Sequence, residues 1–501
     1  MDGTPTSMTH PMARIFLLLT FLAIFQAQDV ATSPAPTVCI IGSGIGGSSA
    51  AHFLRKYSPS SSPPIRIQMF ERNGLVGGRM ATVNVAGDTF EAGASILHPK
   101  NFHALNYTKL LNLEFKEKDS SSGSLSLGIW DGEKFVFKTL KIDSNVPLLD
   151  KLVSIVNSIL LFIRYGFSLL KMNIFVESTV ARFLRYYDEP ASRPIFETPD
   201  AMLKWAGLYN LTTRTLRDEL VDLGLSPLLI EELVTVITRI NYGQSVYISG
   251  LAGTVSLAGS GGGLWSIKGG NWQMAAGLIN QSDVALHLHE EIESIADLGD
   301  FYELNSTKGN SYVCEVAVVA TPLDESNIQL FPQTSISKRK TQHTHATFVR
   351  GLLNPAYFGL SAVTEIPDLV GTVEAPDLPF SSISVLKKYD EKDATYKIFS
   401  RQPVSDSLLD TIFSVRKETI RINWPAYPLY RAPEVFTPFL LDGRHLYYVN
   451  TFENAASTME TSAVAAENVA RLILSRYFGT MFMHSSKLSS SSRGEKSHLD
   501  L

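Results

Sequence analysis

Apolar residues occur along the chain in short runs, in long helical runs and in one N-terminal block. Short apolar runs bounded by Gly, Pro or charged residues predict buried strands, as in a parallel sheet that is covered on both faces. Four segments have this pattern: "TVCII" (37–41), "IRIQMFE" (65–71), "DVALHLHEEIESI" (283–295) and "SYVCEVAVVATP" (311–322). Between about 147 and 240 the pattern becomes helical, and the chain returns to strand, loop and helix at 443–477.

The most apolar stretch after the N-terminal block lies at 148–172 and reads "LLDKLVSIVNSILLFIRYGFSLLKM". Asp150, Lys151, Arg164 and Lys171 interrupt it, so it lacks the roughly 18 consecutive apolar residues that indicate a membrane span. The pattern favours a buried amphipathic pair of helices and no transmembrane segment. Two alternatives stay open, namely a wall of an apolar substrate tunnel and a surface that makes peripheral contact with a membrane.

The N-terminal block is the apolar run Ile15–Phe25, which follows Arg14 and precedes small residues. A basic residue, a short apolar run and small residues after it are typical of a secretory signal peptide. A helix of this length covers only about 17 Å, against roughly 30 Å of hydrocarbon in a bilayer. We therefore expect residues 1–31 to be a signal peptide, cleaved between Ala27 and Ser33, and the protein to enter the secretory pathway.

A secretory route gives meaning to the Asn-X-Ser/Thr triplets of the chain, which are acceptors for N-glycosylation. Their asparagines are Asn106, Asn210, Asn280 and Asn305. We expect at least two of them to carry glycans. At the other end of the chain, residues 481–501 are rich in Ser and predict a disordered tail.

Composition excludes several functions. The chain is 45% hydrophobic and 19% charged, which is typical of globular proteins, and its net charge of −5 provides no basic surface for nucleic acid. The two cysteines, Cys39 and Cys314, both lie in apolar runs, which favours two buried thiols and leaves a single disulfide as the alternative. No metal-binding cluster and no Ser/His/Asp constellation is visible, so we expect no metal.

A glycine cluster in "TVCIIGSGIGGSSAAHFLR" (37–55) follows the first predicted strand and opens a helix. It fits Gly-x-Gly-x-x-Gly at Gly42, Gly44 and Gly47, a pattern in which a tight turn brings a dinucleotide pyrophosphate to a helix N-terminus. Glu71 ends the second predicted strand, where an acidic side chain accepts hydrogen bonds from the hydroxyls of an adenosine ribose. The combination predicts a dinucleotide without a 2′-phosphate.

Three further stretches resemble the flavin-oxidase superfamily that includes amine oxidases and desaturases. They are "RNGLVGGRMATV" after Glu71, "FEAGASILHP" (90–99) and "NTFENAASTMETSAVAAENVA" (450–470). In that superfamily the stretches contact FAD, and a strand like the one that begins at Val284 meets the adenine. Besides the first glycines and Glu71, the FAD contacts that the resemblance implies are Arg72, Gly77, Gly78, Arg79, Gly93, Ala94, Ser95, Val284, Glu453 and Thr461.

The implied fold is α/β, with a Rossmann-type FAD-binding domain of the amine-oxidase-like kind interleaved with an α+β substrate domain. The FAD-binding domain is predicted at 36–100, 268–325 and 440–480, and the substrate domain at 101–267 and 326–439. No second Gly-x-Gly-x-x-Gly follows a strand, so no nicotinamide domain is expected to reduce the flavin. The substrate is then the reductant, and O2 is the expected electron acceptor.

Several segments together resemble the prenylcysteine oxidases, and most closely the plant members of that family. They are "CIIGSGIGGSSAAHFLR", "FERNGLVGGRMATV", "EAGASILHPKN", "YGFSLLKM" and "LAGSGGGLWSIKGGNWQM". The resemblance extends over roughly residues 36–480. It implies a lysosomal or vacuolar FAD enzyme that acts in the degradation of prenylated proteins. Such an enzyme cleaves the thioether of S-prenyl-L-cysteine, S-farnesyl-L-cysteine foremost, with O2 and water to a prenyl aldehyde, cysteine and hydrogen peroxide.

His98 is the candidate catalytic residue, because it follows the run expected beside the flavin ring and would hold water or take its proton. The aromatic segment "NWPAYPLYRAPE" (423–434) is a candidate for another wall of the site. Two alternative functions stay open: another flavin oxidase on the same fold, either an amine oxidase or a desaturase, and a non-enzymatic carrier of prenyl groups. The complete glycine motif and Glu71 argue against the carrier.

Overall fold

A computed structural model describes residues 36–59, 64–116, 126–140, 147–334, 336 and 339–479. The predicted signal peptide at 1–31 and the predicted tail at 481–501 lie outside the described residues. In chain order, the strands are β1 (Thr37–Ile41), β2 (Arg66–Glu71), β3 (Thr82–Val85), β4 (Asp88–Glu91), β5 (Leu127–Trp130), β6 (Phe135–Lys138), β7 (Val284–Leu288), β8 (Ile292–Asp297), β9 (Tyr302–Ser306), β10 (Ser311–Cys314), β11 (Val316–Val319), β12 (Gln329–Phe331), β13 (Thr341–Leu353), β14 (Leu369–Thr372), β15 (Ser382–Asp390), β16 (Asp393–Ser400), β17 (Phe413–Pro428) and β18 (Leu446–Tyr448). The longer helices are α1 (Ile45–Tyr57), α2 (Phe102–Leu110), α3 (Pro147–Tyr165), α4 (Ser168–Phe183), α5 (Pro199–Ala206), α6 (Leu216–Asp222), α7 (Thr235–Tyr242), α8 (Gly250–Ala258), α9 (Trp272–Gln281), α10 (Asp406–Ile412) and α11 (Met459–Phe478).

A parallel sheet contains the predicted dinucleotide motif. Its order is β18–β11–β1–β2–β7, so strands from distant parts of the sequence lie side by side. Every residue of β1 is buried, because both faces of a central parallel strand are covered. Helix α1 follows β1 and packs against α9 and α11. This β–turn–α unit in a parallel sheet confirms the predicted Rossmann-type α/β fold.

The two cysteines are joined to each other. Cys39 on β1 and Cys314 on β10 are fully buried, their Cα atoms lie 6.0 Å apart, and their sulfur atoms form a disulfide. The preference for two buried thiols is therefore wrong, and the alternative of a single disulfide holds. The small sheet β10–β9–β8–β12 brings the end of β10 against β1, a contact that the residue pattern does not reveal.

A second large sheet has the order β17–β13–β16–β15–β14–β5–β6 and is antiparallel except where β14 meets β5. Its longest strands, β13 and β17, pair along nearly their whole lengths. The β3–β4 hairpin packs beside them through a cluster that includes Phe90 and Phe348. The sheet therefore packs against the β3–β4 hairpin, which follows the predicted flavin loop at 77–79.

Helices α3 and α4 form the predicted pair over 148–172, but the pair is not buried. The two helices are bent by 104° relative to each other, around Gly166 with its φ of +58°. Among the described side chains of α3, only Val153 and Tyr165 are buried, so the favoured expectation of a buried pair is wrong. Within the described residues no single helix is long and apolar enough to cross a bilayer, although this bent pair together has the length and composition.

Candidate active site

The turn between β1 and α1 contains the three predicted glycines. Gly42 has a φ of +108°, and a Cβ there would lie 2.6 Å from the Ala320 carbonyl oxygen. A Cβ on Gly47 would lie 2.0 Å from the Gly42 carbonyl oxygen, so the fold itself requires glycine at both positions. At Gly44 the nearest atom to a Cβ is the Gly77 carbonyl oxygen, 3.7 Å away. The protein alone does not require glycine there, and the space fits a closely approaching phosphate.

A second glycine pair lies against this turn. The Gly77 N–H donates to the Ser43 carbonyl oxygen at 3.1 Å, and Gly77 forms a parallel bridge with Gly44. Gly77 and Gly78 have φ values of +117° and +58°, which favour glycine. Gly44 is also the N-cap residue of α1. Two stretches of bare backbone therefore meet at a helix N-terminus, where the helix dipole favours an anion.

Glu71 ends β2 beside the glycine turn and is buried. Its Oε2 accepts hydrogen bonds from the Ser43 N–H at 3.2 Å and the Ser43 hydroxyl at 2.6 Å. Its Oε1 accepts from the Asn73 N–H at 2.9 Å and the Asn73 side-chain amide at 2.8 Å. A carboxylate has about four acceptor sites and these four bonds fill them, so Glu71 would accept from a ribose hydroxyl only after one of the two side-chain donors rotates away. The neighbouring Arg72 is exposed.

Val284 lies away from the nucleotide edge of the sheet. In the parallel pairing of β2 with β7, Leu288 is opposite Glu71, and Val284 is at the start of its strand. Four residues of strand separate Val284 from that edge, or about 13 Å, whereas ligands of such sheets bind at the carboxyl ends of the strands. The residues that follow β7 are better placed, since the Glu290 N–H donates to the Glu71 carbonyl oxygen at 2.8 Å. The adenine contact of Val284 stays a prediction, and His289 and Glu290 are the residues of this segment that lie nearest to Glu71.

Arg79 follows the glycine pair and contacts the last part of the chain. Its guanidinium is ion-paired with Glu453 and donates to the Ala426 carbonyl oxygen at 2.8 Å. Burial alone would lower the pKa of Arg79, but the Glu453 carboxylate raises it above its usual value. In the same turn the Oδ1 atoms of Asn450 and Asn454 are buried and have no hydrogen-bond partner among the described residues. Unpaired acceptors of this kind suit the hydroxyls of a ribityl chain.

The predicted flavin-flanking run, Gly93, Ala94 and Ser95, lies directly against Arg79. A Cβ on Gly93 would be 1.9 Å from the Arg79 carbonyl oxygen, which also accepts from the Ala94 N–H at 3.0 Å. The Asn271 side-chain amide donates to the Ala94 carbonyl oxygen at 3.0 Å. The glycine-rich segment that ends at Asn271 therefore holds this run in place.

Two ionisable groups beside the run, the half-buried Glu91 and the buried Lys397, were missed by sequence reasoning. Glu91 accepts from the Asn271 N–H at 2.7 Å, and its Oε2 has no hydrogen-bond partner among the described residues. Burial raises the pKa of Glu91 to about 7, and burial lowers the pKa of Lys397 to about 8. Lys397 alternates with the core residue Ile398 on β16, and no local signal marks such a lysine as buried.

A cavity of about 130 Å³ lies at the N-terminus of α11. Much of its apolar lining comes from the second half of α4 and from α8, with Val180, Phe183, Leu251, Val255 and Ala258, and Leu264 follows α8. The lining residues do not include the segment 148–172, so this cavity gives no support to the alternative of a tunnel wall there, which stays a prediction. Thr461 also lines the cavity, and its hydroxyl takes part in a capping box with Thr458.

His98 lines the same cavity. Its Nδ1 accepts a hydrogen bond from the Lys100 N–H at 3.1 Å, which places the proton of the neutral ring on Nε2. Burial lowers the pKa of His98, so the neutral ring predominates near pH 7. In this arrangement His98 can donate a hydrogen bond but has no ring nitrogen available to take a proton. The Trp265 indole N–H donates to the His98 carbonyl oxygen at 3.2 Å and holds the backbone.

Comparison with known proteins gives one family over most of the chain. Residues 148–485 match the model of prenylcysteine lyase, and residues 40–109 match that of an NAD(P)-binding Rossmann-like domain. Farnesylcysteine lyase of Arabidopsis thaliana is 64% identical over 463 residues, which are 92% of each protein. Prenylcysteine oxidase 1 of Homo sapiens is 34% identical over 476 residues, which are 89% of this chain and 90% of the human protein. The chain belongs to the prenylcysteine lyase family.

Solved structures agree on the fold. A putrescine oxidase has a TM-score of 0.56 at 13% identity and covers 88% of this chain and 100% of its own. Cyclohexylamine oxidase from Brevibacterium oxydans has a TM-score of 0.56 at 16% identity, with coverages of 88% and 99%. These likenesses confirm the predicted amine-oxidase-like architecture for this member of the prenylcysteine lyase family.

Three tyrosines in this family member form a cluster behind Arg79. The Tyr242 ring meets Tyr427 at a centroid distance of 4.7 Å and Tyr430 at 5.1 Å. The Tyr430 hydroxyl accepts from the Ser457 N–H at 2.8 Å, one residue before the cap of α11. Two of the tyrosines, Tyr427 and Tyr430, belong to the aromatic segment 423–434, whose place in a wall of the site stays a prediction. Tyr242 was not predicted, because it comes from a distant helix.

Proposed function

We propose that this member of the prenylcysteine lyase family is an FAD-dependent oxidase that cleaves the thioether bond of S-prenyl-L-cysteine, with S-farnesyl-L-cysteine as its first substrate. The observation that carries the proposal is 64% identity to the Arabidopsis farnesylcysteine lyase over 92% of both chains. The reaction consumes one O2 and one water and releases the prenyl aldehyde, cysteine and hydrogen peroxide. The C1–S bond breaks, C1 is oxidised to the aldehyde, and O2 is reduced.

The described residues fit FAD. The space at Gly44 suits the pyrophosphate, Glu71 suits the adenosine ribose, and the unpaired acceptors Asn450 and Asn454 suit the ribityl chain. Arg79 lies beside them with its charge held by Glu453. When bound, FAD supplies the acceptor for a hydride from the prenyl C1 carbon and passes the electrons to O2.

The cavity supports binding of a prenyl chain. Its apolar side chains from α4 and α8 would bury a farnesyl group of fifteen carbons, and at about 0.8 kcal/mol per CH₂ complete burial contributes roughly 10 kcal/mol at most. The same side chains exclude bulk water from the reacting carbon. Binding energy from the distant part of the chain then positions C1, which is how a reaction without a protein nucleophile is accelerated.

Within this mechanism His98 holds the reacting water or the cysteine part of the substrate. It donates through Nε2–H, because Nδ1 is occupied by the Lys100 N–H. The sequence-based prediction allowed His98 either to hold a water or to take its proton. The proposal keeps only the first of these two roles. A residue that only donates a hydrogen bond positions its partner and adds no base to the reaction.

The test is anaerobic. The purified protein is scanned in the visible range, S-farnesyl-L-cysteine is added without O2, and air is then admitted. We expect the flavin bands to bleach, and farnesal, cysteine and hydrogen peroxide to appear in equal amounts with air. A yellow protein that bleaches only with amines would assign the site to an amine oxidase. A colourless protein that binds S-farnesyl-L-cysteine would be a carrier.

We also propose that the protein enters the secretory pathway, carries N-glycans and acts in the lysosome or vacuole. The support is the apolar run Ile15–Phe25 after Arg14, together with the exposure of three sequon asparagines. These exposed residues are Asn106, Asn210 and Asn280, whereas Asn305 is half-buried. Digestion of the protein from plant cells with an N-glycosidase should increase its mobility on a gel. An unchanged mobility would contradict glycosylation, and imaging of a tagged full chain outside these compartments would contradict the location.

A further inference from the structure

The bend between α3 and α4 displays a concentration of exposed apolar side chains. Eight large hydrophobic residues within 152–174 are exposed, and we call them the hairpin patch: Leu152, Ile155, Ile159, Phe162, Ile163, Phe167, Leu170 and Ile174. Ile163 and Phe167, on either side of the bend, have 74% and 72% of their surface exposed. Soluble proteins rarely expose contiguous patches of this kind unless a partner covers them.

The charges within the patch favour one kind of partner. Between Leu152 and Ile174 there is no Asp or Glu, and the two charged residues are Arg164 and Lys171. Arg164 is already ion-paired with Glu232, whereas Lys171 donates to the Gly224 carbonyl oxygen at 3.2 Å and has no acidic partner in the described part of the chain. A twofold dimer through this patch would bring Lys171 toward its own copy, whereas the headgroups of a phospholipid bilayer present phosphates to it while its stem lies along apolar surface.

The shape of the pair fits the surface of a bilayer rather than its full depth. Among the described residues no single helix is long and apolar enough to cross a bilayer, and the two helices of the pair meet at a bend of 104°. Helices with one apolar face and cationic residues lie in the interface, with the apolar face a few ångströms into the acyl region. We propose that the hairpin patch is a docking surface that inserts into one leaflet of a phospholipid bilayer.

Helix α4 belongs both to the docking surface and to the cavity. Leu170 and Ile174 of the hairpin patch lie in its first half, and Thr179, Val180 and Phe183 of the cavity lining lie in its second half. A prenyl chain held in the leaflet would therefore lie within one helix length of the cavity wall. This last step rests on the proposed function, whereas docking itself needs neither substrate nor FAD.

Docking is tested by flotation of the purified protein with phosphatidylcholine vesicles in a density gradient. We expect the protein to float with the vesicles and to stay bound in 0.5 M NaCl, because apolar insertion is not screened by salt. The double variant Ile163→Glu/Phe167→Glu should reduce the bound fraction at least tenfold. Val435→Glu is the matched control, since Val435 is 75% exposed outside the patch, and it should bind like the wild type.

The outcomes distinguish insertion into a bilayer from dimerisation through the hairpin patch, and they distinguish both from the proposed function. Equal flotation of wild type and double variant, or no flotation of the wild type, would overturn the proposal. A wild-type dimer that the double variant dissociates, without flotation of either, would assign the patch to a second copy. Flavin content and thermal melting confirm that each variant is folded. Bleaching by S-farnesyl-L-cysteine in vesicle-free buffer reports on the proposed function alone.

Discussion

Arg79 and Glu453 lie 374 residues apart in the chain and form an ion pair beside the glycine turn. Arg79 belongs to the loop that follows Glu71, and Glu453 to the turn that leads into α11. The pair therefore joins an early and a late segment of the chain at the place where the FAD contacts are expected. Glu453 also accepts from the Asn450 side chain at 2.8 Å, which fixes its orientation.

Replacement of Glu453 by Gln removes the partner of a largely desolvated guanidinium. We expect Glu453→Gln to lower the free energy of unfolding by about 3 kcal/mol, as for other buried pairs that lose one charge. FAD content after purification should fall as well. Urea unfolding and the ratio of absorbance at 450 nm to that at 280 nm measure the two effects. Glu114→Gln, in an exposed pair with Lys268, is the control and should change neither.

Substitutions of Gly44 and Gly47 test whether the glycine turn binds a phosphate or is only a tight turn. Gly47→Ala places a Cβ 2.0 Å from a carbonyl oxygen and should yield little soluble protein. Gly44→Ala meets no protein atom closer than 3.7 Å, so its melting temperature without cofactor should equal that of the wild type. Its Kd for FAD, measured by fluorescence titration, should rise at least tenfold because the new methyl group occupies the phosphate position. Unchanged FAD affinity in folded Gly44→Ala would leave the glycine with no role in binding.

Glu71 is predicted to bind the ribose through a carboxylate that Ser43 and Asn73 already hold. We expect Glu71→Gln to reduce FAD affinity by about 10–100-fold, since each lost hydrogen bond to a charged acceptor is worth about 1.5–3 kcal/mol. Ser43→Ala removes one donor and keeps the carboxylate, so it should retain FAD. The titration used for Gly44 measures both variants. Normal FAD content in Glu71→Gln would refute the ribose assignment.

Much of the fold and part of the candidate site could be predicted from local sequence. The glycine turn and Glu71 were predictable because each is a backbone or charge requirement at a strand end. The long strand β17 was not, since Pro425 and Pro428 interrupt its pattern; it lies at the sheet edge, where proline is tolerated.

Other features depend on which distant elements pack together. The pairing of Cys39 with Cys314 and the burial of Lys397 beside Glu91 follow from contacts between separate parts of the chain. Apolar composition likewise could not tell that 148–172 is exposed, because a buried helix and a docking helix share the same hydrophobic pattern.

His98 offers a test of donation against proton abstraction. We expect His98→Ala to reduce kcat about tenfold or more without loss of FAD, because the hydrogen bond to water or substrate is missing. His98→Gln keeps a side-chain N–H donor and should restore most of the activity, whereas a general base would not be replaced by an amide. Peroxide release at saturating S-farnesyl-L-cysteine gives kcat. Equal losses in both variants would assign His98 to proton transfer.

Glu467 is buried in α11 and joins three other elements. Its Oε2 accepts from Arg193 at 2.8 Å and lies 3.4 Å from the Nε2 of His103, while the Tyr57 hydroxyl donates to its Oε1. Burial would raise the pKa of Glu467, but His103 and Arg193 lower it well below the usual value. In the unfolded chain a Glu has a pKa of about 4.3. The unfolded state therefore binds the proton more tightly, so this contribution to stability is complete above about pH 5 and is lost as the pH falls further.

Substitution of Glu467 should change both stability and its dependence on pH. At pH 7 we expect Glu467→Gln to lower the free energy of unfolding by about 3 kcal/mol, because Arg193 keeps its charge in a buried position without a partner. The difference from the wild type should narrow below about pH 4, because the unfolded wild-type chain takes up a proton on Glu467 there while the folded chain does not. Urea unfolding between pH 3.5 and 7 measures the difference. Glu197→Gln, in an exposed pair with Arg476 at 3.0 Å, should match the wild type throughout. A difference between Glu467→Gln and wild type that stays constant over this range would show that packing, rather than charge, is what Glu467 provides.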